Sequence, residues 1–118
     1  GTTHADHCHQ DIPCAPVLTD KMIQGDYEYE TGNQIFDVFT AQNLKYTEME
    51  MVLLQNHGPF TWGKTAQKSV YNAAVLEEVA RMAYLTKQIN PSVERIKETL
   101  RNKHYERKHG KNAYYGQK

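Results

Sequence analysis

Three sets of side chains in this sequence are of types that do chemistry. His57 follows the apolar run Met51–Leu54 and the polar pair Gln55-Asn56, and it stands directly before Gly58-Pro59. Four apolar residues bounded by turn formers read as a buried strand that the Gly-Pro pair breaks. An imidazole held at such a rim can bind a ligand, or it can simply satisfy a hydrogen bond at the strand end. The second set is His4-x-Asp6-His7-Cys8-His9. Zinc accepts all of these side-chain types, yet no zinc-finger or His-Glu-x-x-His spacing is present, and surface turn residues are the competing reading. The third set continues the face Val93, Ile96 and Leu100 into His104 and Arg107. That polar end is either a solvated, frayed last turn or an end that faces a site. No Gly-x-Gly-x-x-Gly, Walker-type loop or Gly-x-Ser-x-Gly turn occurs.

Several elements must position these groups. The opening, Gly1 to Pro16, is polar and turn-rich, and Pro13 and Pro16 favour an extended edge strand around residues 12–17. Thr19-Asp20 can cap a short helix that stops by Gly25. Thr31-Gly32-Asn33 is expected to precede an amphipathic helix with Ile35, Phe36, Val38 and Phe39 on one arc and Asn43 near its end. After the central strand, residues 60–62 can return as a second one. Thr65 is the expected N-cap of the longest helix, which runs to about Ile89 and is stopped by Asn90-Pro91. Val75, Leu76, Val79, Ala80, Met82 and Ala83 cover about half its circumference, an arc wide enough for more than one neighbour. Ser92 is the expected cap of the last helix, with Glu94 near its positive end and His109-Gly110 as its stop.

The 118 residues suit one domain with a modest core. Their hydrophobic fraction of 39% is low, and eight tyrosines supply most of the aromatic content. Fourteen basic residues balance fourteen acidic ones, so no basic field for nucleic acid or an anionic membrane exists. The basic run Lys103 to Lys111 reads as a solvated helix face. Apolar runs are too short for a membrane span. Cys8 and Cys14 form neither a disulfide framework nor a Cys-x-x-Cys motif, which favours free thiols in a reducing, cytoplasmic setting. The chain starts at Gly1 without an initiator Met or signal-like segment, as a fragment would.

Several segments carry a resemblance in order. They are Gly1-Thr-Thr-His-Ala-Asp6, Gly25-Asp-Tyr-Glu-Tyr-Glu-Thr-Gly-Asn33, His57-Gly-Pro-Phe60, Lys103-His-Tyr-Glu-Arg-Lys-His-Gly110 and Tyr114-Tyr-Gly-Gln117. Together they resemble the L-ribulose-5-phosphate 4-epimerases of the class II (zinc) aldolase/epimerase superfamily. The first and last motifs are specific to the epimerases; His-Gly-Pro is shared with the related aldolases. The resemblance implies an α/β fold, an α/β/α layered domain around a central, mostly antiparallel sheet, of which residues 1–118 form the C-terminal half. It implies a homotetramer with sites at subunit interfaces, and the balanced charge already argues against a nucleic-acid or membrane partner. It further implies that His57 is a ligand of a catalytic Zn2+, and that Asp6 and Tyr115 are the two acid/base groups, Tyr115 reaching into a neighbouring subunit's site. His104 is implied as an active-site histidine, and Thr2 and Glu28 as residues near the site. His7, Cys8 and His9 have no ligand role in the family pattern and read as surface variation. The remaining zinc ligands and the phosphate-binding loops belong to the other half.

The chemistry implied is epimerisation at C4 of a phosphorylated pentulose, L-ribulose 5-phosphate to D-xylulose 5-phosphate, in arabinose or ascorbate breakdown. C4 carries no acidic hydrogen, so the C3–C4 bond must break in a retro-aldol step and re-form on the other face, with zinc as Lewis acid and one acid/base group per face. Two alternatives stand beside it: a class II aldolase of the fuculose or rhamnulose phosphate type, and a non-catalytic oligomerisation fragment. Half of such a sheet would expose an edge and apolar surface.

Overall fold

A computed structural model describes residues 1–116; Gln117 and Lys118, the end of the Tyr-Tyr-Gly-Gln motif, lie outside them. The described chain is mixed α/β and divides into two compact units, residues 12–74 and residues 1–11 together with 75 onward.

In the unit of residues 12–74, three strands form one sheet: β1 (Cys14–Ala15), β2 (Met51–Leu54) and β3 (Gly58–Thr61). β2 lies in the middle, and Met51, Val52 and Leu54 are buried, as the apolar run requires. β1 pairs with it in parallel and β3 antiparallel, so the sheet is mixed and its longer ladder is the antiparallel one. β1 is shorter than expected. Proline lacks an N–H, and Pro13 joins the ladder only by accepting from the Leu53 N–H at 2.9 Å. Gly58-Pro59 does not break the sheet. Both residues lie within β3, opposite Leu54 and Leu53, and the chain reverses over residues 55–57 instead. Asn56 takes φ 63° there, a conformation that asparagine tolerates.

The helix α2 (Asp20–Gln24) begins as the sequence implies, with the Met22 N–H donating to Thr19 Oγ1, and it ends at Gly25. The helix α3 spans Tyr27–Ala41, so Thr31-Gly32-Asn33 lies inside it rather than before it. Thr31 avoids its usual helix-breaking competition by donating its hydroxyl to the Tyr27 carbonyl at 2.8 Å. Thr31, Gln34 and Phe39 are its buried residues, whereas Phe36 falls off that stripe and is 71% exposed.

The long helix α4 (Ala66–Ile89) has the expected cap, Thr65 Oγ1 accepting from the Lys68 N–H at 3.1 Å. Its first residues lock to the sheet. Thr61 and Ser69 exchange hydroxyl-to-carbonyl bonds, and buried Asn72 donates to Glu50 and to the Trp62 carbonyl. The broad apolar arc is only partly used: Leu76 and Val79 are buried, while Ala80 and Ala83 are exposed.

The other unit joins a short opening helix, α1 (Thr2–Ala5), to α5 (Glu98–His109), which packs against it. α5 starts five residues later than a Ser92 cap would give. Residues 90–93 are held outside a helix, because Asn90 Oδ1 takes the Ser92 N–H and Lys87 Nζ donates to the Pro91 carbonyl. α5 ends at His109 with Gly110 as C-cap, and Arg107, Lys108 and His109 complement the negative end of its dipole.

Candidate active site

The polar end of α5 faces a partner rather than fraying into solvent. Asp6 terminates α1, its N–H donating to the Thr2 carbonyl at 2.9 Å, and this turns its carboxylate toward α5. His104 and Arg107 stand three residues apart on α5, hence on one face, and both reach that carboxylate. Oδ1 accepts from His104 Nδ1 at 2.9 Å, from Arg107 Nε at 3.2 Å and from Arg107 Nη2 at 2.9 Å. Oδ2 accepts from Arg107 Nη2 at 3.0 Å. His109 Nε2 lies 3.0 Å from the Asp6 backbone carbonyl.

The side chains of Asp6, His104 and Arg107 keep 16%, 19% and 23% of their surface exposed, enough seclusion to strengthen charged hydrogen bonds. Partial burial pushes the Asp6 carboxyl up, but the bonds from His104 and Arg107, with the charges of Arg107 and Lys108, outweigh it. The net effect holds Asp6 below the usual carboxylate range. Asp6 is therefore an anion at neutral pH.

Tyr115 joins the same cluster. Its ring lies on the Arg107 guanidinium, 4.2 Å from Cζ to the ring centroid, and its N–H donates to the Arg107 carbonyl at 3.1 Å. The tail after α5 thus folds back instead of running into solvent, although half of the Tyr115 surface stays open. Thr2 is the first residue of α1, exposed, and tied to Asp6 through its carbonyl. Sequence reasoning named Asp6, His104, Tyr115 and Thr2 as site residues; it did not name Arg107 or His109. The available signal for Arg107 was its place beside His104 on an otherwise apolar face.

His57 and Glu28 belong to the unit of residues 12–74. His57 is exposed in the β2–β3 turn, its ring stacked on Phe60 at 5.2 Å between centroids. Glu28 is exposed in the first turn of α3, where a carboxylate suits the helix dipole.

The residues around His4 are not the surface variation they resemble in sequence. Cys8 is buried, His4 Nε2 bonds the Gln10 carbonyl at 2.8 Å, and His9 and His109 flank the Tyr105 ring. Of these, His9 packs on Tyr105 of α5, while His4 is tied to Gln10 within its own turn. Among the described residues, no three His, Cys, Asp or Glu side chains gather as a metal would require. His57 offers one imidazole where zinc takes about four ligands. The described residues by themselves do not fit a zinc ion.

Residues 1–84 match the family described as class II aldolase and adducin N-terminal domain. Three relatives, each named L-ribulose-5-phosphate 4-epimerase UlaF, come from Salmonella paratyphi B, Salmonella paratyphi A and Salmonella typhi. Each is 48% identical over all 118 residues, 100% of this chain and 51% of the relative. The chain thus spans about half the length of the curated relatives it matches. The family match over residues 1–84 and this continuous similarity agree: the chain belongs to the class II aldolase and adducin N-terminal domain family.

Proposed function

We propose that the protein to which this chain belongs interconverts L-ribulose 5-phosphate and D-xylulose 5-phosphate by inverting C4. The observation that carries this reading is the 48% identity to epimerases along the entire chain. The Asp6 carboxylate, held as an anion by His104 and Arg107, supports it by offering a placed proton acceptor.

C4 bears a hydroxyl but no acidic hydrogen, so inversion requires cleavage and re-formation of the C3–C4 bond. Asp6 takes the C4 hydroxyl proton, the C3–C4 electron pair stays with the ketose fragment, and C4 becomes an aldehyde carbon. After the aldehyde turns over, the bond re-forms, and the new C4 alkoxide takes its proton from the Tyr115 hydroxyl. Asp6 Oδ1 already accepts three hydrogen bonds and Oδ2 one, which leaves Oδ2 as the atom with capacity for the substrate proton. His104 and Arg107 fix the plane of that carboxylate. Zinc, in this reading, would be held by His57 together with ligands from outside these 118 residues, and would supply Lewis-acid polarisation of the ketose carbonyl. Thr2 and Glu28 are assigned to the surroundings of the substrate.

The same reading includes a homotetramer in the cytoplasm, with Tyr115 serving a site at a subunit interface. Exposed Val70, Tyr84, Leu85 and Ile89 along α4 support self-association, since apolar surface of this kind favours burial against a partner.

The test uses the full-length protein with L-ribulose 5-phosphate. D-xylulose 5-phosphate is the expected product, and accumulation of free glycolaldehyde phosphate would identify an aldolase instead. Tyr115→Phe should lower turnover by about 100- to 10,000-fold while bound zinc is unchanged. Equal loss of metal and activity would reject its proton-transfer role.

A further inference from the structure

We propose that His109 is a positioning residue for Asp6: its imidazole holds the Asp6 backbone carbonyl, so that the carboxylate is carried on a fixed main chain. This rests on the epimerase reading and adds to it a residue which that reading does not contain.

Asp6 closes α1, a helix of four residues, and a single turn of helix has little stability of its own. The bonds from His104 and Arg107 restrain the carboxylate end of Asp6. Two side-chain torsions separate that end from the main chain, so these bonds alone leave the backbone free to shift beneath it. The carbonyl anchor removes that freedom. Carbonyls at the C-terminal end of a helix lack intrahelical partners, and His109 Nε2, at 3.0 Å, serves the one on Asp6. Asp6 is thus held at both ends from α5.

The imidazole is itself aimed. Tyr105 and His109 are four residues apart on α5, hence neighbours on its surface, and their rings stack at 4.6 Å between centroids. His9, three residues beyond Asp6, meets the same Tyr105 ring at 5.0 Å. A carbonyl oxygen only accepts, so the hydrogen stands on His109 Nε2, which carries one in a neutral tautomer and in the imidazolium. Gaining a proton therefore leaves this bond in place, as a holding role requires and a proton-transfer role does not. The charged and titratable groups that face the Asp6 carboxyl are His104, Arg107 and Lys108, whereas His109 faces its carbonyl.

The experiment compares His109→Asn and His109→Gln in the full-length protein, by kcat and KM for L-ribulose 5-phosphate across pH and by 13C titration of the Asp6 carboxyl. Both variants carry the same neutral amide, but they differ in reach: Gln places its N–H groups near the position of Nε2, and Asn stops near that of Nδ1. One neutral hydrogen bond sets the scale, so His109→Asn should lower kcat about 3- to 10-fold with KM changed less than about twofold. With the main chain released, the His104 and Arg107 bonds loosen, and the Asp6 titration and the acid limb of kcat/KM should both move to higher pH. His109→Gln should keep the wild-type titration and recover most of kcat. Equal behaviour of the two variants would overturn the proposal. So would an unmoved Asp6 titration in His109→Asn, since a merely structural loss lowers the thermal midpoint without shifting it. If the wild-type protein fails to convert the pentulose phosphate, the epimerase reading falls, and the Asp6 titrations of the two variants still decide whether His109 holds the carbonyl.

Discussion

At Asp6, burial and hydrogen bonding act in opposite directions on one carboxyl. Burial raises its proton affinity; the His104 and Arg107 donors lower it by more, so the folded pKa lies below the unfolded one. The sign of the pH dependence follows. A depressed carboxylate contributes stability that is fully present well above the unfolded value, about 3.9, and is lost as pH falls through the lower folded value. Asp6→Asn should therefore destabilise the full-length protein by about 1–3 kcal/mol at neutral pH, because the Arg107 guanidinium and the His104 donor lose their anionic acceptor. It should also flatten the acid limb of the stability curve. Urea midpoints measured from pH 7 down to pH 3 would show the variant and the wild type converging at low pH. Parallel curves would mean that the Asp6 charge is not coupled to folding. Turnover in the variant should fall as well, by about 100-fold or more, as for loss of a general base.

At the scale of elements, α5 and its return tail are what hold the cluster. Gly110 makes that return feasible: a Cβ there would come 2.6 Å from the Glu106 backbone carbonyl, too close for any side chain. Gly110→Ala should cost about 1–3 kcal/mol in the full-length protein, as overpacking does, and move Tyr115 off Arg107. The expected signature is a lower thermal midpoint with kcat reduced more than KM is raised; unchanged values of all three would show that the carbonyl yields freely. Local signals made much of this legible beforehand. The Thr19 and Thr65 caps, the stop after Ile89 and the His109-Gly110 end are short-range patterns, and each appears where the sequence puts it. The starts of α3 and α5 were not legible in the same way. At Thr31 a side chain satisfies the helix it was expected to interrupt. At Ser92 the preceding Asn90 accepts the Ser92 N–H in a local turn, and the helix starts later. The cluster itself joins residues about a hundred positions apart, and no periodicity reports such a contact. The polar turn of the α5 face at His104 and Arg107 was its sole local trace.

At the scale of the whole molecule, the chain matches about half the length of its relatives, and its features have the character of a part. Ile89, Val70 and Phe36 are 85%, 71% and 71% exposed, and an apolar cleft of about 450 Å3 opens among Phe36, Phe39, Tyr46 and Trp62. The donor set is equally partial: His57, stacked on Phe60, belongs to no group of three or more His, Cys, Asp or Glu side chains among the described residues. A single neutral imidazole binds zinc weakly, whereas three protein ligands fixed on rigid backbone bind it tightly. A zinc titration of the 118-residue chain beside the full-length protein separates these cases. The 118-residue chain should take up no stoichiometric zinc at micromolar concentration, while the full-length protein should bind one ion per subunit. In the full-length protein His57→Asn should lower zinc affinity by at least about tenfold, and Asp6→Asn should leave it unchanged. Tight one-to-one binding by the 118-residue chain would show that its own side chains suffice and would remove the need for outside ligands. Unchanged affinity in His57→Asn would free the histidine for the structural role that its seat on Phe60 already offers.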